Sequence, residues 1–177
     1  MKRILLCIAT TLMLCAVSCG EKQSESRTDD ESSIETVMIP LEMPDIDISI
    51  PEDYEETSTE NNSTVYVRND ASIIVNSDEF TEEYQTLDEY VSYAESIYRT
   101  YSDNVEILGN DERNGGHITE FIYSLNSENG VFSKYCMVAY FTDGEKIYIV
   151  TCKADSDTYS DYRDEFLDVI DSVNIIS

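Results

Sequence analysis

The chain has 177 residues, with 37 Asp and Glu against 11 Lys and Arg, a formal net charge of −26, 41% hydrophobic residues and no Trp. That length suits one domain, or one domain with a tail, and the apolar content supports a core because the most polar stretch is confined to the amino-terminal part. The charge excludes nucleic acid as a natural partner, since a polyanion is bound by Lys and Arg replacing condensed counterions, and it argues equally against adhesion of the folded surface to anionic lipid.

Met1-Lys2-Arg3 is a short basic stretch, Ile4 to Val17 is mostly apolar, and Ala16-Val17-Ser18-Cys19-Gly20 places a cysteine directly after small or aliphatic residues. This is the pattern of an export signal, not of a membrane span. Fourteen residues rising 1.5 Å each reach about 21 Å, short of the roughly 30 Å hydrocarbon core. The Ala-Val-Ser-Cys string resembles a bacterial lipobox, with Ala16 standing where that motif most often has Leu. The resemblance implies that a diacylglyceryl group is added to the Cys19 thiol, that the signal peptide 1–18 is cut away, and that the new amino end receives an acyl chain such as palmitate. The protein would then be a lipoprotein of the cell envelope, held on the extracytoplasmic side of the membrane through lipid on Cys19, because two or three acyl chains anchor firmly without a protein span. The alternative is an ordinary secretory peptide with an incidental cysteine.

Cleavage before Cys19 leaves 9 Lys and Arg against 37 Asp and Glu, net −28. Residues 19–45 are rich in Ser, Glu and Asp, contain Pro40 and Pro44, and show no sustained amphipathic period, so they are expected to be an acidic disordered tether. Its rms reach would be roughly 25–30 Å. Ile34, Val37, Ile39 and Leu41 offer the alternative of an extra edge strand.

A folded domain is expected over 46–177. Ile46, Ile48 and Ile50 alternate with polar residues up to Pro51, which predicts a strand with one buried face. Thr64–Val67 and Ser72–Val75 read as a hairpin around Asn69-Asp70. The period then changes: Leu87, Tyr90, Val91, Ala94, Ile97, Tyr98 and Tyr101 fall on one stripe of a helix, with Thr86 and Glu89 as a capping box and Ser102-Asp103-Asn104 as its stop.

Asn114-Gly115, Asn129-Gly130 and Asp143-Gly144 tolerate the positive φ of tight turns and divide a meander of strands near 105–110, 116–125, 131–142 and 145–153. A closing helix over 158–171 shares Tyr159, Tyr162, Phe166, Val169, Ile170 and Val173 on one face, with Asp155, Ser156 or Asp157 as its cap. Both sides of the 131–153 hairpin are apolar: Tyr135, Met137, Ala139 and Phe141 on one, Cys136, Val138 and Tyr140 on the other. Such a pair must be central in its sheet, with a layer above and a layer below. The expected class is α+β, an antiparallel sheet of about six to seven strands packed by two main helices.

The order of strands, a Thr-capped helix, a long meander and a closing helix, together with the Ile48-Ser49-Ile50-Pro51-Glu52-Asp53-Tyr54 opening and the Asp171-Ser172-Val173 ending, resembles the PsbP-like fold. That group holds the extrinsic photosystem protein PsbP, small Ran-binding import factors and many bacterial lipoproteins. The resemblance covers about 46–176, with Tyr54 where the family often carries Trp. It implies a non-catalytic domain that docks onto larger assemblies, and it carries over no functional residues.

Nothing in the sequence composes an active site. His117 is the single histidine, beside Gly116 at the start of a predicted strand, and is expected to be an exposed or edge-strand residue. No Gly-x-Ser-x-Gly, His-Glu-x-x-His or phosphate-cradling glycine loop occurs. Acidic pairs such as Asp78-Glu79 and Glu82-Glu83 follow from composition and are expected on a solvated face. The run Asp155-x-Asp157-x-Tyr159-x-Asp161 begins like a calcium loop, but Tyr159, Ser160 and Phe166 occupy positions that such a loop gives to a ligand, the turn glycine and the bidentate Glu. No catalytic residue, metal ligand or cofactor is expected, and only weak, diffuse binding of divalent ions.

Of five cysteines, Cys7 and Cys15 leave with the signal and Cys19 takes lipid, so Cys136 and Cys152 remain. A two-residue Asp143-Gly144 turn would put them on opposite faces of the sheet, and a three-residue turn would leave a diagonal too long for a bridge, so two buried free thiols are expected. Among the 13 tyrosines, Tyr90, Tyr98, Tyr101, Tyr159 and Tyr162 read as helix core, whereas Tyr54, Tyr66, Tyr84 and Tyr93 read as exposed contacts. The function expected from these signals is an exported, lipid-anchored docking module that meets a basic surface of another envelope protein. The alternative is a solute- or divalent-ion-binding lipoprotein with a pocket between sheet and helix.

Overall fold

The computed structural model describes residues 38–43, 45–60, 63–101, 104–127 and 130–176. Strands β1 (Met38–Met43), β2 (Ile46–Pro51) and β10 (Asn174–Ile175) make a small antiparallel sheet in the order β1-β2-β10. The main sheet is built from β3 (Glu55–Glu60), β4 (Ser63–Arg68), β5 (Ala71–Glu79), β6 (Val105–Arg113), β7 (Gly116–Ser127), β8 (Gly130–Thr142) and β9 (Lys146–Asp155), in the order β3-β4-β5-β9-β8-β7-β6. Helix α1 (Leu87–Tyr101) leads from β5 to β6, and α2 (Tyr159–Asp171) from β9 to β10. The architecture is α+β, as the alternation of periods predicts.

The β8–β9 pair is buried on both faces, and each face has its own core. On one side Met137, Ala139, Phe141, Val150 and Cys152 pack against Ile46, Ile48 and Ile50 of β2 and Phe166, Val169 and Ile170 of α2. On the other side Cys136, Val138, Tyr140, Ile147 and Ile149 pack against Tyr90, Val91, Ala94 and Tyr98 of α1. The start of α1 is fixed by a reciprocal box: Glu89 N donates to Thr86 Oγ1 at 3.3 Å, while the Glu89 carboxylate accepts from Gln85 N at 2.7 Å and Thr86 N at 3.2 Å. Three backbone donors at the entry to the helix are thereby satisfied.

Several local expectations are revised. Met38–Met43, read from sequence as part of the tether, are strand β1, paired with β2 from Met38↔Pro51 to Met43↔Ile46. Residues 19–37, including Ile34 and Val37, lie outside the described residues, as do the signal 1–18 and Asn129. Glu55–Glu60 form β3, a polar edge strand with no alternation to betray it. The cap of α2 is Thr158, not Asp155, Ser156 or Asp157, and its hydroxyl donates to the Asp70 carboxylate instead of to the helix.

The β8–β9 connection is longer than a two- or three-residue turn, because Thr142 pairs with Ile147. The Asp143 carboxylate accepts from both Glu145 N and Lys146 N at 2.7 Å, and Thr142 Oγ1 donates to Lys146 O at 2.7 Å. Side chains thus satisfy the backbone of a wider loop in which Gly144 takes φ 95°. The register moves by two residues, so Cys136 and Cys152 keep opposite faces. Both edges of the main sheet carry a β-bulge, between Glu56 and Ser58 in β3 and between Ile107 and Gly109 in β6.

Candidate interaction surface

Seven Lys and Arg residues follow Met38, and five of them are held in ion pairs within the fold. Arg113 meets Asp171, Lys134 meets Asp155 at 2.7 Å, Lys146 meets Asp45, and Arg163 meets Glu120 at 2.9 Å. Lys153 is buried in β9, and Arg99 occupies the last turn of α1, where the helix carbonyl end favours a cation. Acids stay outside: Asp161, Asp164 and Asp168 are exposed at helical spacing on α2, and Glu82, Glu83, Asp88 and Glu89 are exposed around the start of α1. Five of the seven cations are therefore matched by acids of the same fold, Arg99 stays exposed, and the remaining acids leave the surface strongly negative.

One end of the sheet gathers the fifth cation and a buried acid. Arg68, at the end of β4, bridges Asp53 and Glu165 at 2.6 Å each and lies 4.5 Å above the Tyr54 ring and 5.0 Å from that of Tyr162. Tyr54 OH donates to Glu165 at 3.0 Å. Next to it, Asp70 in the β4–β5 turn accepts from Thr158 Oγ1, from Tyr162 OH at 3.1 Å and from Asp155 N at 3.3 Å. Burial works against the Asp70 carboxylate, yet these donors outweigh it and hold its pKa below the usual carboxylate range. The knot ties β4, β5, β9 and α2 together.

At the same end the β7–β8 ribbon outruns its neighbours. Pairing with β6 stops at Val105↔Tyr123 and pairing with β9 stops at Lys134↔Asp155, while β7 and β8 stay paired as far as Ser127↔Gly130. Ser124 and Ser133 share a hydroxyl hydrogen bond of 2.9 Å at its base. Near its tip, Val131 is 67% exposed and Phe132 42%. The start of β1 is also at this end, since Met38 pairs with Pro51 and Pro51 O accepts from Tyr54 N.

At the opposite end, a cleft of about 380 Å³ opens between the start of α1 and the β6–β7 turn, lined by Leu87, Asp88, Glu112, Arg113 and His117 among others. His117 is half-buried on β7, one strand in from the edge, and its Nε2 is buried without a hydrogen-bond partner among the described residues. Its neighbour Gly116 packs flat on Phe141, where a Cβ would lie 2.4 Å from Phe141 Cε1.

The sequence-predicted residues are dispersed. Cys19 lies outside the described residues. Cys136 and Cys152 are buried in different cores and not bridged to each other, and burial pushes the Cys152 thiol up, away from reactivity. Tyr54, Tyr66 and Tyr84, expected as exposed contacts, are buried, and Tyr93 is half-buried with its ring 5.2 Å from that of Tyr84. Burial pushes Tyr66 and Tyr84 up to about 12. Asp155 serves Lys134, so the calcium-like run is spent on structure at its first position. No signal in the sequence pointed to the Arg68 knot, and the exposed Val131-Phe132 pair was read only as strand.

No family model matches the chain, and no curated protein matches it. Solved structures do. The cyanobacterial PsbP of Synechocystis sp. PCC 6803 superposes with a TM-score of 0.58 at 12% identity, covering 85% of this chain and 98% of that one. This is the PsbP-like fold. The Ran-binding protein Mog1p of Saccharomyces cerevisiae shares it with a TM-score of 0.53 at 10% identity, over 81% of this chain and 97% of that one. So does LpqN of Mycobacterium tuberculosis, described as involved in cell envelope biogenesis, with a TM-score of 0.54 at 15% identity, over 81% and 93%. At these identities the likeness is one of fold. No helix among the described residues is long and apolar enough to cross a membrane.

Proposed function

We propose that this PsbP-like domain is a non-catalytic interaction module of the cell envelope, exported and held to a membrane by lipid on Cys19, whose acidic surface docks on a basic surface of another envelope protein. The observation that carries the reading is the internal pairing of the cations. With Arg68, Arg113, Lys134, Lys146 and Arg163 all engaged, the field outside the domain is set by unpaired carboxylates, which attract a basic partner and accelerate encounter. Mog1p, a Ran-binding protein, and LpqN, involved in cell envelope biogenesis, share the fold, which fits the reading. The lipobox-like Ala16-Val17-Ser18-Cys19 supplies the anchor.

Crosslinking in cells followed by affinity purification of the tagged full chain tests it, with Cys19→Ser as control. A recurrent partner whose recovery falls with salt and with loss of the anchor supports the module. Recovery of nothing above background, or a Cys19→Ser protein that stays as firmly on membranes as the parent, sinks it.

A second reading, a solute bound between sheet and helix, is favoured by one observation: the buried His117 Nε2, which has no hydrogen-bond partner among the described residues, beside the cleft at the start of α1. A ligand that raises the melting temperature of the parent by many degrees, and of His117→Ala much less, would establish it.

A further inference from the structure

The β7–β8 ribbon has a composition unlike the rest of the molecule. Ser124 to Ser133 contain one charged residue, Glu128, in a chain that is 27% charged. Four residues of each strand stand beyond the last pairs with β6 and β9, a projection of about 13 Å at the usual rise per residue. Phe132 lies opposite Leu125 and Val131 opposite Asn126, so the two exposed apolar side chains sit on opposite faces of the ribbon. Leu108 and Ile176, the other large exposed apolar residues among those described, stand singly elsewhere.

We propose that this tip is a second membrane contact, with Val131 and Phe132 entering the interfacial region of the bilayer that holds the acyl chains on Cys19. The proposal rests on the lipid-anchor reading and deepens it. Three observations favour lipid as the occupant. Strand β1 starts at Met38, at the same end of the sheet as the ribbon, and Cys19 precedes it in the chain. Eighteen residues lie between Cys19 and Met38, and a tether of that length, as the composition predicts, would reach roughly 21–25 Å and keep the tip within range of the surface whenever that end turns down. A blade with apolar side chains on both faces and almost no charge suits an apolar layer that surrounds it, whereas a one-sided protein pocket would cover only one of the two.

The contact need not be strong. Two side chains add modest burial, but the anchor raises the local concentration of bilayer to the level at which a weak contact is populated. Its effect is orientation. With the Arg68 end held down, the β8–β9 loop and the cleft at the start of α1, both at the opposite end of the sheet, face away from the bilayer.

The test uses the full chain, processed in cells and reconstituted in phosphatidylcholine vesicles. A polarity-sensitive fluorophore is attached at Val131→Cys, or for comparison at Glu145→Cys in the β8–β9 loop at the other end. Cys136 and Cys152 are buried and stay unlabelled. The expected result is blue-shifted emission at 131 that lipids brominated near the headgroup quench strongly, with neither effect at 145. Adding Phe132→Asp should abolish the quenching at 131 while the protein still sediments with the vesicles. Equal, water-like emission at both sites on sedimenting protein overturns the tip contact and leaves the anchor standing. A protein that does not sediment overturns the anchor and the contact with it. A photocrosslinker at 131 that captures a protein in preference to lipid overturns the choice of occupant.

Discussion

Arg68 and Glu165, 97 residues apart in the chain, meet at 2.6 Å with their side chains only 18% and 14% exposed. The pair joins the end of β4 to the middle of α2, and Tyr54 and Tyr162 give the guanidinium aromatic faces to lie on. Arg68→Ala would leave Glu165 partly buried without its cation, and a loss of about 1–3 kcal/mol is expected. Arg68→Lys should recover little of it, because an ammonium lacks the planar fork that reaches Asp53 and Glu165 together. Thermal or urea melts of the two variants check both statements; full rescue by Lys would mean that charge alone holds the knot.

Gly116→Ala should destabilise by about 1–3 kcal/mol, since the new methyl group meets the buried Phe141 ring well inside contact distance and the core must shift. In the background of Phe141→Leu the penalty should shrink. A double-mutant cycle reads this coupling directly.

Two carboxylates give opposite pH signatures. Burial pushes the pKa of Asp78 up despite the bonds from Glu79 N and Tyr90 OH, so the fold prefers it protonated, and that preference is lost as pH rises through its folded pKa. Asp78→Asn is therefore expected to raise the melting temperature at pH 7, with the gain vanishing below about pH 4, where the carboxyl is neutral in both states. Asp70 behaves inversely. Its depressed pKa adds stability above about pH 4 that disappears as pH falls through the folded value, so Asp70→Asn should cost most at neutral pH and least in acid.

Cys136 and Cys152 are expected to be inert to thiol reagents in the native protein and to react only on unfolding. Mass spectrometry of alkylated protein, native against denatured, decides it. A Cys136–Cys152 disulfide found in protein purified under oxidising conditions would contradict their placement in different cores.

How much of this was legible depended on whether the cause was local. Seven apolar residues at helical spacing behind Thr86 and Glu89 specify α1, and the doubly apolar 131–153 hairpin specifies the centre of a two-sided sheet, because period and burial are written in consecutive residues. β3 was not legible, since an edge strand such as Glu55–Glu60 needs no apolar face and its partner supplies the pairing. The loop after Thr142 was misread because the Asp143 carboxylate stabilises a wider turn than the Asp-Gly pair suggests. The tyrosines failed for a longer-range reason. Tyr54 is buried because its hydroxyl finds Glu165, 111 residues onward, and no spacing rule contains that encounter. Of the interaction surface, the excess of acid was visible in composition, but the internal use of the cations is a property of the folded chain.

Both outer strands of the main sheet, β3 and β6, are bulged and carry exposed acids, Glu55 and Glu56 on one, Glu106, Asp111 and Glu112 on the other. An incoming strand would find the ladder out of step at the bulge and a row of like charges beside it. Copies of this chain can therefore be crowded side by side at high local concentration without zipping into a continuous sheet, and the same barrier keeps a stray unfolded neighbour from using either edge as a template.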